Sequence, residues 1–331
     1  MRAKAVATAT DPEAAASAEE LLAAKGSAAD AVLAAYFRWA GAFGHGLFSP
    51  AVALVAGAGA GARAFDGRAL QPGAGAQRPR GVPAGETPPV EARAAVPRAP
   101  HMALLLHAAH GRRPLREVVR PGVEAAKTGG AERRAALLKQ IGEGAMQTLR
   151  RDELLRALLR VAGTNVGGQM TEQDLAMATP GDEPAKTHAD GEARVLRCPW
   201  PSIESGPAEL AVCAVDSWGL AAALAVAPSA EAETLVIEEL EVQLPAVAEP
   251  VLRGKSRAQP RSVLAIGARI AILDAGAQRR IALALGADST ETFASLADAL
   301  GASRTDEALS GVGARIAAIA ESGAARAWKG T

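Results

Sequence analysis

Aromatic side chains are scarce: one Tyr, five Phe and four Trp make up 3% of the 331 residues. Any core must therefore be assembled from Ala, Leu and Val. Cysteine is nearly absent too. Cys198 and Cys213 are the only two, and neither has Cys or His at ligand spacing, which argues against a metal pair and for two reduced residues in apolar strands. An excess of either charge is missing, since 36 basic residues meet 36 acidic ones. That balance removes the general attraction to nucleic acid or to an anionic membrane. No sustained apolar run follows the basic N-terminus, because Asp11, Glu13, Glu19 and Glu20 interrupt it. Neither a signal peptide nor a membrane span is expected, and the expected location is the cytoplasm.

What is present is ample for a core, at 49% hydrophobic residues, and the length suits one large domain or two small ones. The centre lies at residues 209–219, Glu-Leu-Ala-Val-Cys-Ala-Val-Asp-Ser-Trp-Gly. Here an apolar run, a polar turn at 216–219 and a second apolar run at 220–226 predict two strands covered on both faces. Before them, residues 5–9 predict a strand, 12–25 a helix stopped by Gly26, and 28–42 a second helix with Asp30 on its capping or exposed side. Strands follow at 51–57 and 63–66. His45 stands alone in a glycine-flanked loop, as either an active-site group or a packing residue.

Residues 71–100 are rich in proline and glycine and predict a surface crossing without a core of its own. Helices are expected at 100–110, 114–127 and within 131–162, and a short capped helix begins at Thr171. His107 and His110 share a helix face, but no carboxylate joins them and no metal site is expected. Residues 180–191 read as a polar loop. Strands are expected at 193–198, 234–244, 263–273 and 279–285, then helices at 290–300 and 305–319. This order fits an α+β fold, as an αββα sandwich of four layers.

Several segments, in order, resemble those of one family. Leu21-Leu-Ala-Ala-Lys-Gly26-Ser-Ala-Ala-Asp30-Ala-Val is similar to its Leu-x-x-Gly-Gly-Asn-Ala-x-Asp-Ala-Ala. Asp66-Gly67-Arg68 resembles its Asp-x-Arg-Glu strand end, and Val96-Pro97 its Val-Pro-Gly segment. Gly167-Gly168-Gln-Met-Thr171-Glu-Gln-Asp174-Leu175 and Pro199-Trp-Pro-Ser202-Ile-Glu-Ser205-Gly206 resemble its Gly-Gly-x-x-Thr-x-x-Asp-Leu and Pro-Pro-Pro-Ser-Ser-Gly-Gly. The family is the γ-glutamyltransferases, within the N-terminal-nucleophile hydrolases. The resemblance implies one domain over 1–331, with 1–206 matching a shortened large subunit and 207–331 a shortened small one.

In that family a threonine heads a central strand, cuts the chain before itself, and uses its freed amine as the base for its own hydroxyl. Setting Val215 and Asp216 on the end of the family's Thr-Thr-His-x-Ser-Val-Val-Asp places Glu209 on the nucleophile. A carboxylate cannot perform the N-to-O acyl shift. Only Pro207 and Ala208 separate Gly206 from Glu209, so the segment that precedes the cut is also missing.

Other pocket motifs have diverged. Gln259 and Pro260 stand for paired serines, and Gly286-Ala287-Asp288 for an oxyanion-hole Pro-Gly-Gly, where an aspartate would repel the developing charge. Residues 238–245 lack the Asn-Asn-x-x-Asp turn. Arg68 matches the arginine that binds a substrate α-carboxylate; it is either that ligand contact or part of a structural ion pair, and in this chain Glu209 is its expected partner. The resemblance thus implies a chain without self-cleavage, catalysis or cofactor, acting as a binding, regulatory or scaffold protein. Its partners would be a γ-glutamyl or amino-acid-like small molecule, a second copy, or an active relative. The alternative is a transferase or amide hydrolase using Ser202, Ser205 or Cys213.

Overall fold

The computed structural model describes residues 5–57, 59–77, 81–83, 85–190, 193–200, 208–227, 234–264, 269–275, 279–285, 305–321 and 324–330. Two six-stranded sheets dominate it. In the first, β1 (Val6–Ala9), β2 (Ala51–Gly57), β3 (Ala62–Gly67), β4 (Gly181–Pro184), β7 (Leu210–Val215) and β8 (Leu220–Val226) lie in the order β1-β7-β8-β2-β3-β4. The second runs β14 (Ala324–Lys329), β13 (Ala314–Glu321), β12 (Arg279–Leu285), β11 (Ile270–Ala275), β6 (Ala193–Arg197) and β5 (Lys186–Asp190). A separate hairpin pairs β9 (Thr234–Ile237) with β10 (Val242–Pro245).

The two sheets pack face to face. Ala211, Cys213 and Val215 of β7 meet Ile272, Ala282 and Ile316 in the core between them, while Leu210, Val212 and Ala214 point to the opposite side. That alternation, with both faces buried, is why β7 is apolar at every position. The outer face of the first sheet is covered by α1 (Pro12–Ala23), α2 (Ala28–Ala42) and α3 (Ala99–His110). Next come α4 (Leu115–Thr128), α5 (Glu132–Gly144), α6 (Met146–Leu149), α7 (Asp152–Ala162) and α8 (Glu172–Ala176). Where α2 crosses α4 the helices approach so closely that a Cβ on Gly41 would stand 2.0 Å from the Gly122 carbonyl oxygen. On the outer face of the second sheet, Leu309 of α9 (Thr305–Gly311) packs on Leu273, Ile281 and Ile319.

Buried carboxylates fasten the turns. Asp216, fully buried, accepts from the amides of Trp218 and Leu220 in the β7–β8 turn and from Ala28 at the start of α2. It thereby ties the central hairpin to a helix N-terminus, where negative charge is favourable. Asp30 closes a capping box with Ser27 and also accepts from the amides of Arg112 and Arg113. Its position is fully buried rather than exposed.

Four expectations are corrected. Residues 180–191 contain the strands β4 and β5 instead of a loop. Residues 234–244 form two strands around a turn, not one. The strand expected over 263–273 begins at Ile270. The helix expected over 305–319 stops at Gly311, and β13 follows, because its alanine-rich run fills the slot between β12 and β14 and tertiary pairing overrides helix propensity. Residues 290–300 lie outside the described residues.

Candidate functional site

The register across the first sheet gathers the candidate residues at one of its ends. Leu210 pairs with Val226, Val226 with Ala51, and Ala51 with Gly67. The head of β7, the tail of β8, the head of β2 and the tail of β3 therefore form one rim. Glu209 sits on it, its amide donating to the Val226 carbonyl at 3.1 Å. Around it, Arg315 donates from Nη1 to the Ala208 carbonyl at 3.1 Å, and the Ala211 amide donates to Thr10 Oγ1 at 3.0 Å.

His45 comes to the same rim in the loop between α2 and β2. The loop is held by Ser49, whose hydroxyl donates to the His45 carbonyl at 3.0 Å, by Tyr36, whose hydroxyl donates to the Leu47 carbonyl at 2.7 Å, and by the Gln243 amide, which donates to the Gly44 carbonyl at 2.8 Å. The imidazole Nε2 meets Glu209 Oε2 at 3.0 Å, with each side chain 22% exposed. An imidazole fixed by a carboxylate can accept, hold and return a proton at the edge of solvent. His45 is thus tied to the central position, a link that the sequence alone does not reveal.

Arg68 follows the tail of β3 on this rim. Three strand spacings, roughly 14 Å of sheet, separate it from Glu209. The expected Arg68–Glu209 pair is accordingly not formed. Arg68 instead grips Asp66, from Nε at 2.9 Å and from Nη2 at 3.1 Å, with its guanidinium 4.8 Å from the centre of the Trp200 ring. Its Nη1 makes no hydrogen bond among the described residues.

Of the alternative nucleophiles, Cys213 is fully buried between the sheets and burial pushes its thiol pKa well up. Burial likewise pushes Cys198 up to about 12. Both are poor thiolates. Ser202, Ser205 and residues 286–288 lie outside the described residues. His107 is held by the Arg113 carbonyl at 2.9 Å. Among the described residues no group of three or more side chains could hold a metal ion, and no helix is long and apolar enough to cross a membrane.

Comparison with solved structures sets this geometry in context. A cephalosporin acylase from Bacillus halodurans superposes with a TM-score of 0.72 at 13% identity, over 100% of this chain and 97% of that one. The chain has the fold of this acylase. LmbA2991HD matches with a TM-score of 0.61 at 16% identity, covering 85% of this chain and 78% of its own. A γ-glutamyltranspeptidase from Pseudomonas nitroreducens matches with a TM-score of 0.48 at 16% identity, over 59% of this chain and 71% of that one. No protein-family model matches the chain, and no curated protein does. The fold has mixed helices and sheets, and Glu209 heads one of its inner strands, β7.

Proposed function

We propose that this chain is a γ-glutamyltransferase-like protein that does not cut itself, has lost N-terminal-nucleophile catalysis, and serves as a single-domain binding or scaffold protein within a four-layer sandwich. The observation that carries the reading is Glu209 at the head of β7 with its carboxylate on His45 at 3.0 Å. A carboxylate offers no hydroxyl or thiol to attack the preceding peptide, and without a cut no α-amine is freed to act as base. The absence of a low-pKa thiol at Cys198 or Cys213 agrees with it.

On this reading the retained ligand is a γ-glutamyl or amino-acid-like small molecule, met by Nη1 of Arg68. The retained partner is a second copy or an active relative, in the cytoplasm, with neither nucleic acid nor membrane involved. Purified protein assayed with a γ-glutamyl anilide should release no aniline while its intact mass stays that of the whole chain. Turnover abolished by Glu209→Gln or His45→Gln would overturn the reading in favour of a hydrolase.

A further inference from the structure

A buried cation without a hydrogen-bond partner among the described residues lines a cleft with His45. Arg134 of α5 is 7% exposed, and among the described residues its buried Nε has nothing to donate to and its guanidinium makes no hydrogen bond or ion pair. Arginine carries five N–H donors and does not shed its charge, so burial without an anion is strongly disfavoured. Glu241 is the acid that acts on it, opposing the downward push of burial on its pKa. That carboxylate already accepts from the Arg133 amide at 2.9 Å.

Arg134 lines a cleft of about 570 Å³ between the His45 loop and the β9–β10 hairpin. Gly44 makes room for it, since a Cβ there would stand 3.2 Å from Arg134 Nη1. Two other lining side chains are apolar and unusually open: Phe43 is 40% exposed and Val236 is 53% exposed. Glu238 and Glu241 line the same cleft and repel any anion, a doubly charged one most, so Arg134 is the group that must hold a single negative charge there.

We propose that this cleft binds a small organic monocarboxylate, its carboxylate on Arg134 and its apolar body on Phe43 and Val236. The assignment goes beyond the preceding reading and does not depend on it, because binding here is independent of whether the chain cuts itself. The test is calorimetric titration of the full chain with phenylacetate, with 2-phenylethanol as the uncharged analogue and inorganic phosphate as the polyanion. Phenylacetate should bind saturably and the other two should not. Arg134→Gln should weaken binding by roughly tenfold to a hundredfold, the loss of one or two hydrogen bonds to a charged group. Val236→Glu, at an exposed position, should weaken it too and decides the matter if Arg134→Gln does not fold. No saturable heat with the unaltered protein, tighter binding of phosphate, or unchanged affinity in either folded variant overturns the proposal. Intact mass, measured on the same sample, reports separately on self-cleavage.

Discussion

Removing the Asp66 carboxylate should be among the most costly single changes at the sheet rim. Asp66 is 4% exposed. Its Oδ1 accepts from the amide and Nε of Arg68, at 3.0 and 2.9 Å, and its Oδ2 from Arg68 Nη2 at 3.1 Å and Arg98 Nη1 at 3.4 Å. Burial pushes the Arg98 pKa down, and Asp66 opposes that push. Asp66→Ala would leave the buried Arg68 guanidinium without its carboxylate and Arg98 with its bond to the Thr179 carbonyl, at a cost of about 3–5 kcal/mol. Arg68→Ala leaves Asp66 its contact with Arg98 and should cost less, about 2 kcal/mol. With an unfolding entropy near 2.1 cal/mol/K per residue over 331 residues, one degree corresponds to about 0.7 kcal/mol, so about 4 kcal/mol lowers Tm by about 6 °C. Calorimetric melting of the two variants beside the parent measures the ordering. If Arg68→Ala destabilises as much as Asp66→Ala, or if neither moves Tm, Asp66 is not the hub of this cluster.

Burial, with Arg150 and Arg98 nearby, pushes His101 down from 6.5 to about 4. A histidine depressed on folding takes up its proton more readily when unfolded, so its stabilising effect is complete above pH 6.5 and is lost as pH falls towards about 4. His101→Gln should flatten the stability profile across that window by up to about 3 kcal/mol relative to the parent, and an unchanged difference between the two proteins across it would refute the assignment. Cys198 and Cys213, whose thiols burial pushes to high pKa, should resist a thiol-reactive disulfide reagent in the folded protein and both react on denaturation. Rapid labelling of either at neutral pH would contradict this.

Much of the central fold is legible because the relevant forces are local. The strands β7 and β8 announce themselves by apolar residues at every position, and Asp216 by the turn it closes. The ion pair of Arg68 with an acid two residues away lies within reach of local reading as well. The C-terminal strands are not legible in this way. The stretch Ala314–Glu321 is rich in alanine, the strongest helix former, and only its neighbours β12 and β14 make it a strand. The His45–Glu209 contact spans 164 positions and exists only once the rim of the first sheet is assembled. The burial of Arg134 is invisible for a different reason: a basic pair at 133–134 looks like a solvated helix face, and nothing local indicates that one of the two is buried.

Intact mass of the purified chain after prolonged incubation tests the central claim most directly. With Glu209 at the head of β7, a single species of 33.6 kDa is predicted. Two fragments arising spontaneously from a cut immediately before residue 209 would contradict it.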